Sequence, residues 1–271
     1  MYEEFEDDVR SFRPPSLFNT VTELPRTLME MGSLLATMPL LSILPKGDQH
    51  PVLLLPAFMA SDDSTTVIRR YLLRMGYEPL PWQLGRNTGR MYLLEEKLVD
   101  RFEQLRRTYQ CKISIIGQSL GGVYAREIAR RFPNDVRQVI TLGSPFSTRK
   151  ASSTNLLVAK LFHQQSGMTI EEMRDRLPDA KIGSTVPSTA IFSRGDGIVN
   201  WRVCQEVDGP MAESVEVIGS HCGMGFNPLV YFIVADRLSL PIGKWRKFDY
   251  RKLQGFTNPC SFGRGLRGFA K

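Results

Sequence analysis

Some stretches of this chain have short apolar runs of strand length, and others have apolar residues at helical spacing. The two kinds of stretch alternate, which predicts strands separated by helices. Runs of strand length recur at 51–55, 77–84, 113–116, 137–142, 189–193 and 214–218. Apolar residues at helical spacing occupy 65–75, 91–107, 123–132 and 227–238. This order predicts a mostly parallel sheet flanked by helices and joined by right-handed crossovers. No pair of strands is evident in the sequence before Pro51, so we expect the sheet to lack an initial hairpin.

The stretch from Cys111 to Phe132, CKISIIGQSLGGVYAREIARRF, places a sharp turn between a strand and a helix. Gly117, Ser119 and Gly121 fit the pattern G-x-S-x-G, which in this context presents a serine above the end of a sheet. The glycines leave room for the strained turn, and the helix points its positive end at the serine hydroxyl. We therefore predict that Ser119 is a nucleophile.

A nucleophilic serine needs an imidazole to accept its proton and a carboxylate to orient that imidazole. After a turn of this kind, the order along the chain is serine, acid, histidine. Of the three histidines, His50 precedes the serine and His163 lies in a stretch that is predicted to be helical. His221 follows the last predicted strand and lies in a glycine-rich loop. We predict that His221 is the base.

The acid is expected where the preceding strand ends. Asp196 lies in the turn Arg194-Gly195-Asp196-Gly197, directly after the strand at 189–193. Asp208 is the competing candidate, but no clear strand leads into its turn. An ordinary turn aspartate that bonds its own backbone is the alternative interpretation of Asp196. Its position between Ser119 and His221 favours the catalytic role.

The negative charge that develops on an acyl substrate needs two backbone N–H donors. Leu120, the residue after the nucleophile, is expected to supply one of them. The other is expected from the loop after the strand at 51–55, where Phe58 is the preferred donor and Met59 the second choice. A plain hydrophobic loop would have the same composition.

Residues 49–238 resemble the serine α/β-hydrolase superfamily. The motifs that carry the resemblance are LLPAF at the predicted oxyanion loop, GQSLGG at the turn, SRGDG at the acid and SHCGM at the base. The resemblance extends to bacterial lipases and esterases, and it implies an α/β-hydrolase fold that hydrolyses carboxylic esters with no metal and no cofactor. The chain departs from the pattern at Pro56-Ala57, where many lipase-like members have His-Gly or Pro-Gly. Alanine disfavours positive φ, so we expect the loop shape and the acyl specificity to differ.

A longer insertion, residues 147–187, separates the strand at 137–142 from the strand at 189–193. It predicts a short helical cap with helices at 155–165 and from Thr169, where Thr169 and Glu172 fit a capping box. In the proteins that the chain resembles, an insertion here lies above the serine. Its apolar residues either line an acyl pocket or pack on the body, and packing is favoured for most of them: Leu156, Leu157, Val158, Leu161, Phe162 and Met168.

Residues 1–48 are predicted to form a helical extension packed on the main domain, which spans 49–243. The extension opens with five acidic residues within its first eight positions, unlike a signal peptide. Leu28–Leu44 is rich in leucine and methionine, but Glu30, Gly32 and Pro39 interrupt it. A spanning helix is therefore not expected. A helix that lies on the body is preferred over one at a membrane surface.

Residues 244–271 form a basic tail with interleaved aromatic residues. The tail contains eight lysines and arginines against Asp249 alone, and this difference of seven equals the net charge of +7 of the whole chain. Basic residues among aromatics favour an anionic membrane surface or single-stranded nucleic acid. We expect the aromatics to pack on the body, rank peripheral membrane contact second and expect no nucleic acid partner.

The four cysteines, Cys111, Cys204, Cys222 and Cys260, show neither disulfide nor metal spacing. Cys222 stands beside His221, but Ser119 already occupies the turn that suits a nucleophile. The sequence contains no phosphate-binding loop, dinucleotide motif or zinc motif. Reduced thiols and the lack of a signal peptide lead us to expect a cytoplasmic protein, either free or peripheral to a membrane.

The candidate residues together predict two-step acyl transfer through an acyl-enzyme. Apolar residues beside the site favour an ester with a hydrophobic acyl group, from a small molecule or a lipid. The predicted substrate contacts are Met59, Gln118 and Met224. An acyltransferase or a thioesterase would use the same residues. A non-catalytic protein that binds a partner through the basic tail is the further alternative.

Overall fold

The structure, a computed structural model, describes residues 13–147, 153–177 and 186–253. Six parallel strands form one sheet in the order β2-β1-β3-β4-β5-β6. The strands are β1 (Pro51–Leu55), β2 (Glu78–Pro81), β3 (Ile113–Gln118), β4 (Val136–Leu142), β5 (Ser188–Phe192) and β6 (Ala212–Glu216). The predicted parallel sheet is confirmed, and no hairpin precedes β1 among the described residues.

Helices cover both faces of this sheet. They are α1 (Leu17–Val21), α2 (Glu23–Leu41), α3 (Thr66–Arg74), α4 (Val99–Tyr109), α5 (Leu120–Arg131), α6 (Leu156–Ser166), α7 (Ile170–Asp175) and α8 (Pro228–Leu238). Leu53 and Leu55 of β1 join the apolar cluster that contains residues of α4 and α5. Val52 and Leu54 join the opposite cluster, with residues of α2, α3 and α8. Burial on both faces explains the continuous apolar runs of the strands.

The N-terminal helix α2 packs against α8 and against the turn at 222–226. Leu34 and Leu41 are its buried apolar residues. The helix begins before the leucine-rich stretch, and its first turns bury the polar residues Glu23 and Thr27. Pro39 lies in the last turn, so the hydrogen bond that its missing N–H removes is close to the end of the helix, which continues to Leu41.

The insertion forms the helices α6 and α7, and the capping box at the start of α7 is present. Phe162 of α6 is buried against Phe58, with the ring centroids 5.3 Å apart. Leu156, Leu157 and His163 lie on the exposed side of the same helix. These two leucines therefore line no pocket beneath it, and the favoured prediction that they pack on the body is wrong for both. Residues 148–152 and 178–185 of the insertion lie outside the described residues.

The first part of the C-terminal tail lies on the body. Phe248 is buried, and its ring meets Phe232 of α8 edge-on at 6.5 Å between centroids. Lys252 forms an ion pair with the buried Asp236. Residues 254–271 lie outside the described residues, so membrane contact through the tail stays a prediction. In the part of the chain that is described, no helix has the length and apolar character needed to cross a membrane.

Candidate active site

Ser119 occupies the sharp turn between β3 and α5. Its backbone has φ 51° and ψ −120°, a strained conformation for a residue with a side chain. A Cβ on Gly117 would lie 2.4 Å from the backbone of Gly121, and a Cβ on Gly121 would lie 2.3 Å from the carbonyl oxygen of Leu55. Glycine is therefore required at both positions, which explains the spacing of glycines around the serine.

Three side chains from separate parts of the chain form a hydrogen-bonded line. The Ser119 hydroxyl lies 3.0 Å from Nε2 of His221, and Nδ1 of His221 lies 2.6 Å from a carboxylate oxygen of Asp196. All three residues are buried. Asp196 follows β5 and His221 follows β6. The carboxyl ends of parallel strands lie at the same end of the sheet, so Asp196 and His221 lie at the end where Ser119 follows β3.

Asp196 is held by the backbone as well as by the histidine. Its second carboxylate oxygen accepts hydrogen bonds from the N–H groups of Ile198 at 2.9 Å and Val199 at 2.7 Å. These bonds fix the carboxylate with its other oxygen directed at the imidazole. The competing candidate, Asp208, is exposed and pairs with Lys247 on the surface. It is not the acid that meets the histidine.

The surroundings of His221 favour its protonated form. Burial alone lowers the pKa of the imidazole, but the charge of Asp196 and its hydrogen bond, with a smaller contribution from Glu23, raise the pKa above the ordinary value of 6.5. A base that takes a proton from serine becomes an imidazolium, and a buried carboxylate stabilises that cation.

The loop after β1 and the start of α5 each offer one backbone donor beside the serine turn. Among the described residues, neither the Phe58 N–H nor the Leu120 N–H has a hydrogen-bond acceptor. Leu120 is the first residue of α5, where the helix itself provides no acceptor. The Met59 N–H donates to the carbonyl of Asn87 at 2.7 Å. Met59, the second choice, is therefore wrong as an oxyanion donor.

Asn87 holds this loop in shape, although no sequence pattern points to it. The residue is fully buried, its side-chain amide donates to the Pro56 carbonyl at 2.9 Å, and its N–H donates to the Ala60 carbonyl at 2.8 Å. The left-handed residue of the loop is Met59, with φ 63°. Ala57 does not have a positive φ, so the departure from the lipase pattern at this residue causes no backbone strain.

The three predicted substrate contacts lie in different places. Met59 is half-buried in the oxyanion loop, and its contact with substrate stays a prediction. The Gln118 side chain donates to the His221 carbonyl at 3.2 Å, so it holds the loop of the histidine. Met224 is fully buried in the core. Its prediction as a substrate contact is wrong because packing leaves it no exposed surface.

Glu23, at the start of α2, joins the two loops that carry the acid and the base. One carboxylate oxygen accepts from the N–H groups of Gly197 at 2.8 Å and His221 at 3.0 Å, and the other accepts from Cys222 at 3.0 Å. Glu23 is 6% exposed, so these charge-assisted bonds form away from water. No local pattern singles it out, because Gly197 and His221 lie 174 and 198 residues further along the chain.

Other polar residues of α2 contact the same loops. The Arg26 guanidinium donates to the Gly195 carbonyl at 2.6 Å. The Thr27 and Ser220 hydroxyls lie 3.1 Å apart, and Glu30 accepts from the Ser220 N–H at 2.6 Å. The inward face of α2 therefore braces the loop of the acid and the loop of the base together.

Two further candidates for nucleophilic chemistry have unsuitable surroundings. His50 lies 2.9 Å from the Ser114 hydroxyl and pairs with Asp48, but Ser114 is fully buried in β3. No substrate can reach that serine. Desolvation and the Glu23 carboxylate raise the pKa of the Cys222 thiol to about 12, so the thiol is protonated near neutral pH and is a poor nucleophile.

The structure is similar to several solved lipases. Aspergillus fumigatus lipase B matches with a TM-score of 0.56 and 17% identity, over 73% of this chain and 54% of that one. A Paleococcus ferrophilus monoacylglycerol lipase matches with a TM-score of 0.53 and 14% identity, over 72% and 96%. Bacillus licheniformis lipase BlEst2 matches with a TM-score of 0.51 and 13% identity, over 72% and 94%.

These likenesses establish the fold of the chain. It has the α/β-hydrolase fold, as its sequence motifs predict. The aligned part spans about half of the Aspergillus lipase and nearly all of the Paleococcus lipase. No protein-family model matches the sequence, and no curated protein matches it.

Proposed function

We propose that this protein is a serine hydrolase that cleaves carboxylic esters with hydrophobic acyl groups. The observation that carries the proposal is the hydrogen-bonded line from Ser119 through His221 to Asp196. A serine in a strained strand-to-helix turn, an imidazole within hydrogen-bond reach and a buried carboxylate are the parts that acyl transfer needs. The α/β-hydrolase fold and its similarity to solved lipases support the same class of reaction.

In the proposed mechanism, Oγ of Ser119 attacks the ester carbonyl carbon while Nε2 of His221 takes the hydroxyl proton. The N–H groups of Phe58 and Leu120 bind the oxyanion, and Asp196 stabilises the imidazolium. His221 then gives its proton to the departing alcohol, which leaves the acyl group on the serine. Water attacks this acyl-enzyme with His221 as base, and the acid is released.

The apolar residues around the site support a hydrophobic acyl group. Phe58 is half-buried and packs against Phe162 of the cap helix. Phe162, Leu120 and Phe146 belong to one apolar cluster. An acyl chain placed against these residues leaves water and gains about 25 cal/mol for each Å² that is buried. A polar acyl group gains no comparable free energy.

Hydrolysis of p-nitrophenyl esters of increasing acyl length tests this function. We expect turnover by the wild type, with kcat/KM higher for chains longer than acetyl because the added methylenes meet the apolar cluster. A folded wild type that hydrolyses none of the esters would contradict the proposal and favour a non-catalytic binding protein. Product that forms only with an added alcohol or amine would indicate an acyltransferase. A strong preference for thioesters over esters would indicate a thioesterase.

The pH dependence of kcat/KM tests the role of His221. A general base acts in its neutral form, so activity is expected to fall as the pH decreases through the pKa of the free enzyme. The pKa of His221 is raised above 6.5. The fall in kcat/KM on the acidic side of the pH profile, the acid limb, should therefore be centred above pH 6.5. Replacement of Asp196 by asparagine removes the charge that raises the pKa, and the limb should move to lower pH. An acid limb that is the same in both proteins would argue against His221 as the base.

Glu23→Gln is expected to lower kcat about 10- to 100-fold, because small misplacement of catalytic groups has costs of this order. The glutamine amide keeps one acceptor oxygen but presents an NH₂ group to a backbone donor, at Cys222 or at Gly197 and His221. Loss of the negative charge also removes a contribution that raises the pKa of His221. The acid limb should therefore move to lower pH, which a purely structural role for Glu23 does not predict.

Steady-state kinetics across pH measure both effects, with the melting temperature as a check on folding. Glu96→Gln is the matched control, because Glu96 is exposed on the surface. Wild-type kcat together with an unmoved acid limb in Glu23→Gln would show that Glu23 does not position the base.

A further inference from the structure

Helix α2 has its charged residues on the inward side, and both α1 and α2 expose large apolar residues, whereas an ordinary surface helix exposes its charged residues. Between Leu17 and Ile43, the charged residues are Glu23, Arg26 and Glu30. All three bond to the loops that carry Asp196 and His221. Every exposed residue from 17 to 43 is uncharged. The outer side of these helices therefore lacks the charges that normally keep a surface helix in water.

The exposed side chains form a continuous stripe along both helices. Ten of the twenty large apolar side chains that are exposed among the described residues lie between 17 and 43. Leu17 at one end is 77% exposed and Leu35 near the other is 76% exposed. We call this set the apolar face: Leu17, Phe18, Val21, Leu24, Leu28, Met29, Met31, Leu35, Leu40 and Ile43. Large exposed apolar patches on soluble domains mark interaction sites.

The apolar face continues onto the cap helix. The Asn155 side chain, at the start of α6, donates to the Thr20 hydroxyl at 3.3 Å. Leu156 and Leu157 follow it and are 73% and 76% exposed. The buried side of α6, through Phe162, packs on the predicted oxyanion loop. The exposed surface and the candidate active site therefore share one helix.

Cations and a tryptophan border the apolar face at the start of α1. The Arg13 carbonyl accepts from the Asn200 side chain at 2.8 Å, which places this exposed arginine beside the turn that begins at Trp201. The guanidinium groups of Arg194 and Arg202 lie 4.7 and 5.0 Å from the Trp201 ring centroid. Tryptophan and arginine next to an apolar surface are typical of the boundary between lipid headgroups and acyl chains.

We propose that the apolar face docks on an anionic phospholipid bilayer, with Arg13, Arg194 and Arg202 at the headgroups. The charges favour this occupant over a second copy of the chain. In a two-fold dimer the same surface meets itself, and α1 and α2 present no exposed carboxylate to these arginines. An anionic headgroup layer supplies that charge. Arg194 also pairs with Glu216, which leaves Arg13 and Arg202 as the stronger headgroup contacts.

Docking in this orientation has a consequence for the active site. Because the inward side of α2 holds the loops of Asp196 and His221, a membrane on its outer side lies next to the candidate site. The expected substrate is then an ester that partitions into the bilayer. This second step rests on the proposed function, whereas the docking itself does not.

Vesicle flotation of the full chain tests the docking without any need for catalysis. The vesicles contain equal parts of phosphatidylcholine and phosphatidylglycerol, with pure phosphatidylcholine as the uncharged comparison. The test variant carries Leu28→Glu and Leu35→Glu, both on exposed positions of α2. Ile242→Glu is the matched control, because Ile242 is also exposed, at 61%. It lies two residues after Leu240, whose carbonyl accepts a hydrogen bond from Arg137 near the start of β4. The start of β4 lies at the opposite end of the strands from the candidate site.

We expect the wild type and Ile242→Glu to float with the anionic vesicles. The double variant should bind at least about 100-fold more weakly, about tenfold for each leucine lost from lipid. Equal flotation of the double variant would overturn the proposal and point to the basic tail. A wild type that does not float also overturns it, and a dimer that the double substitution separates would assign the apolar face to a second copy. Unchanged melting temperatures show that each variant is folded.

Discussion

Ser119→Ala is expected to lower kcat for ester hydrolysis by about 10⁶-fold, because no other group can form the acyl-enzyme. His221→Ala should have a similar effect, since the serine hydroxyl is a weak nucleophile without a base within reach. The two losses should not add in the double variant, because both residues act in the same step. Steady-state rates on a p-nitrophenyl ester that the wild type hydrolyses, expressed per mole of folded protein, measure the effect.

The chain contains its own control for this experiment. Ser114 also bonds a histidine that pairs with an aspartate, but it is fully buried in β3. Ser114→Ala should therefore leave kcat near the wild-type value per folded molecule, even if the protein becomes less stable. Activity that survives in Ser119→Ala and is lost in Ser114→Ala would show that the reaction takes place at Ser114, near the start of β3. That result would overturn the mechanism.

Asp196→Asn is expected to lower kcat by about 10⁴-fold, the effect of a wrong imidazole tautomer. The asparagine carbonyl can still accept from Ile198 and Val199, as the aspartate oxygen does now. Its NH₂ group would then face Nδ1 of His221 as a donor. The imidazole would carry its proton on Nε2, where it cannot accept the proton of Ser119.

Asp208→Asn provides the matched control for Asp196→Asn. Asp208 is exposed and pairs with Lys247, so this substitution should leave both kcat and the acid limb unchanged. A large loss in Asp208→Asn with wild-type activity in Asp196→Asn would mean that the acid has been assigned to the wrong turn.

Much of the fold is predictable because its signals are local. The strand at Pro51–Leu55 has the limits that its apolar run indicates, and the turn at Ser119 is marked by glycines that backbone contacts require. The order of serine, acid and histidine along the chain then leaves few candidates for each position. The strands that precede Asp196 and His221 predict both residues, and the structure places His221 between Asp196 and Ser119.

What the sequence could not predict depends on contacts between distant segments. Glu23 and Asn87 fit no motif, because their roles come from partners that the fold alone brings near. Met224 lies in a loop whose composition suits a substrate contact, yet it packs in the core. Local composition does not reveal which side of such a loop faces the interior. It also does not reveal that Leu156 and Leu157 lie on the exposed side of the cap helix α6.

An activated Ser119 should react with a fluorophosphonate probe, which forms a covalent adduct with a nucleophilic serine. Mass spectrometry of the digested protein identifies the labelled residue, with heat-denatured protein and His221→Ala as comparisons. We expect one adduct, on Ser119, that forms in the folded wild type and is strongly reduced in both comparisons. Folded wild-type protein that remains unlabelled, or that carries the adduct on another residue, would contradict the account.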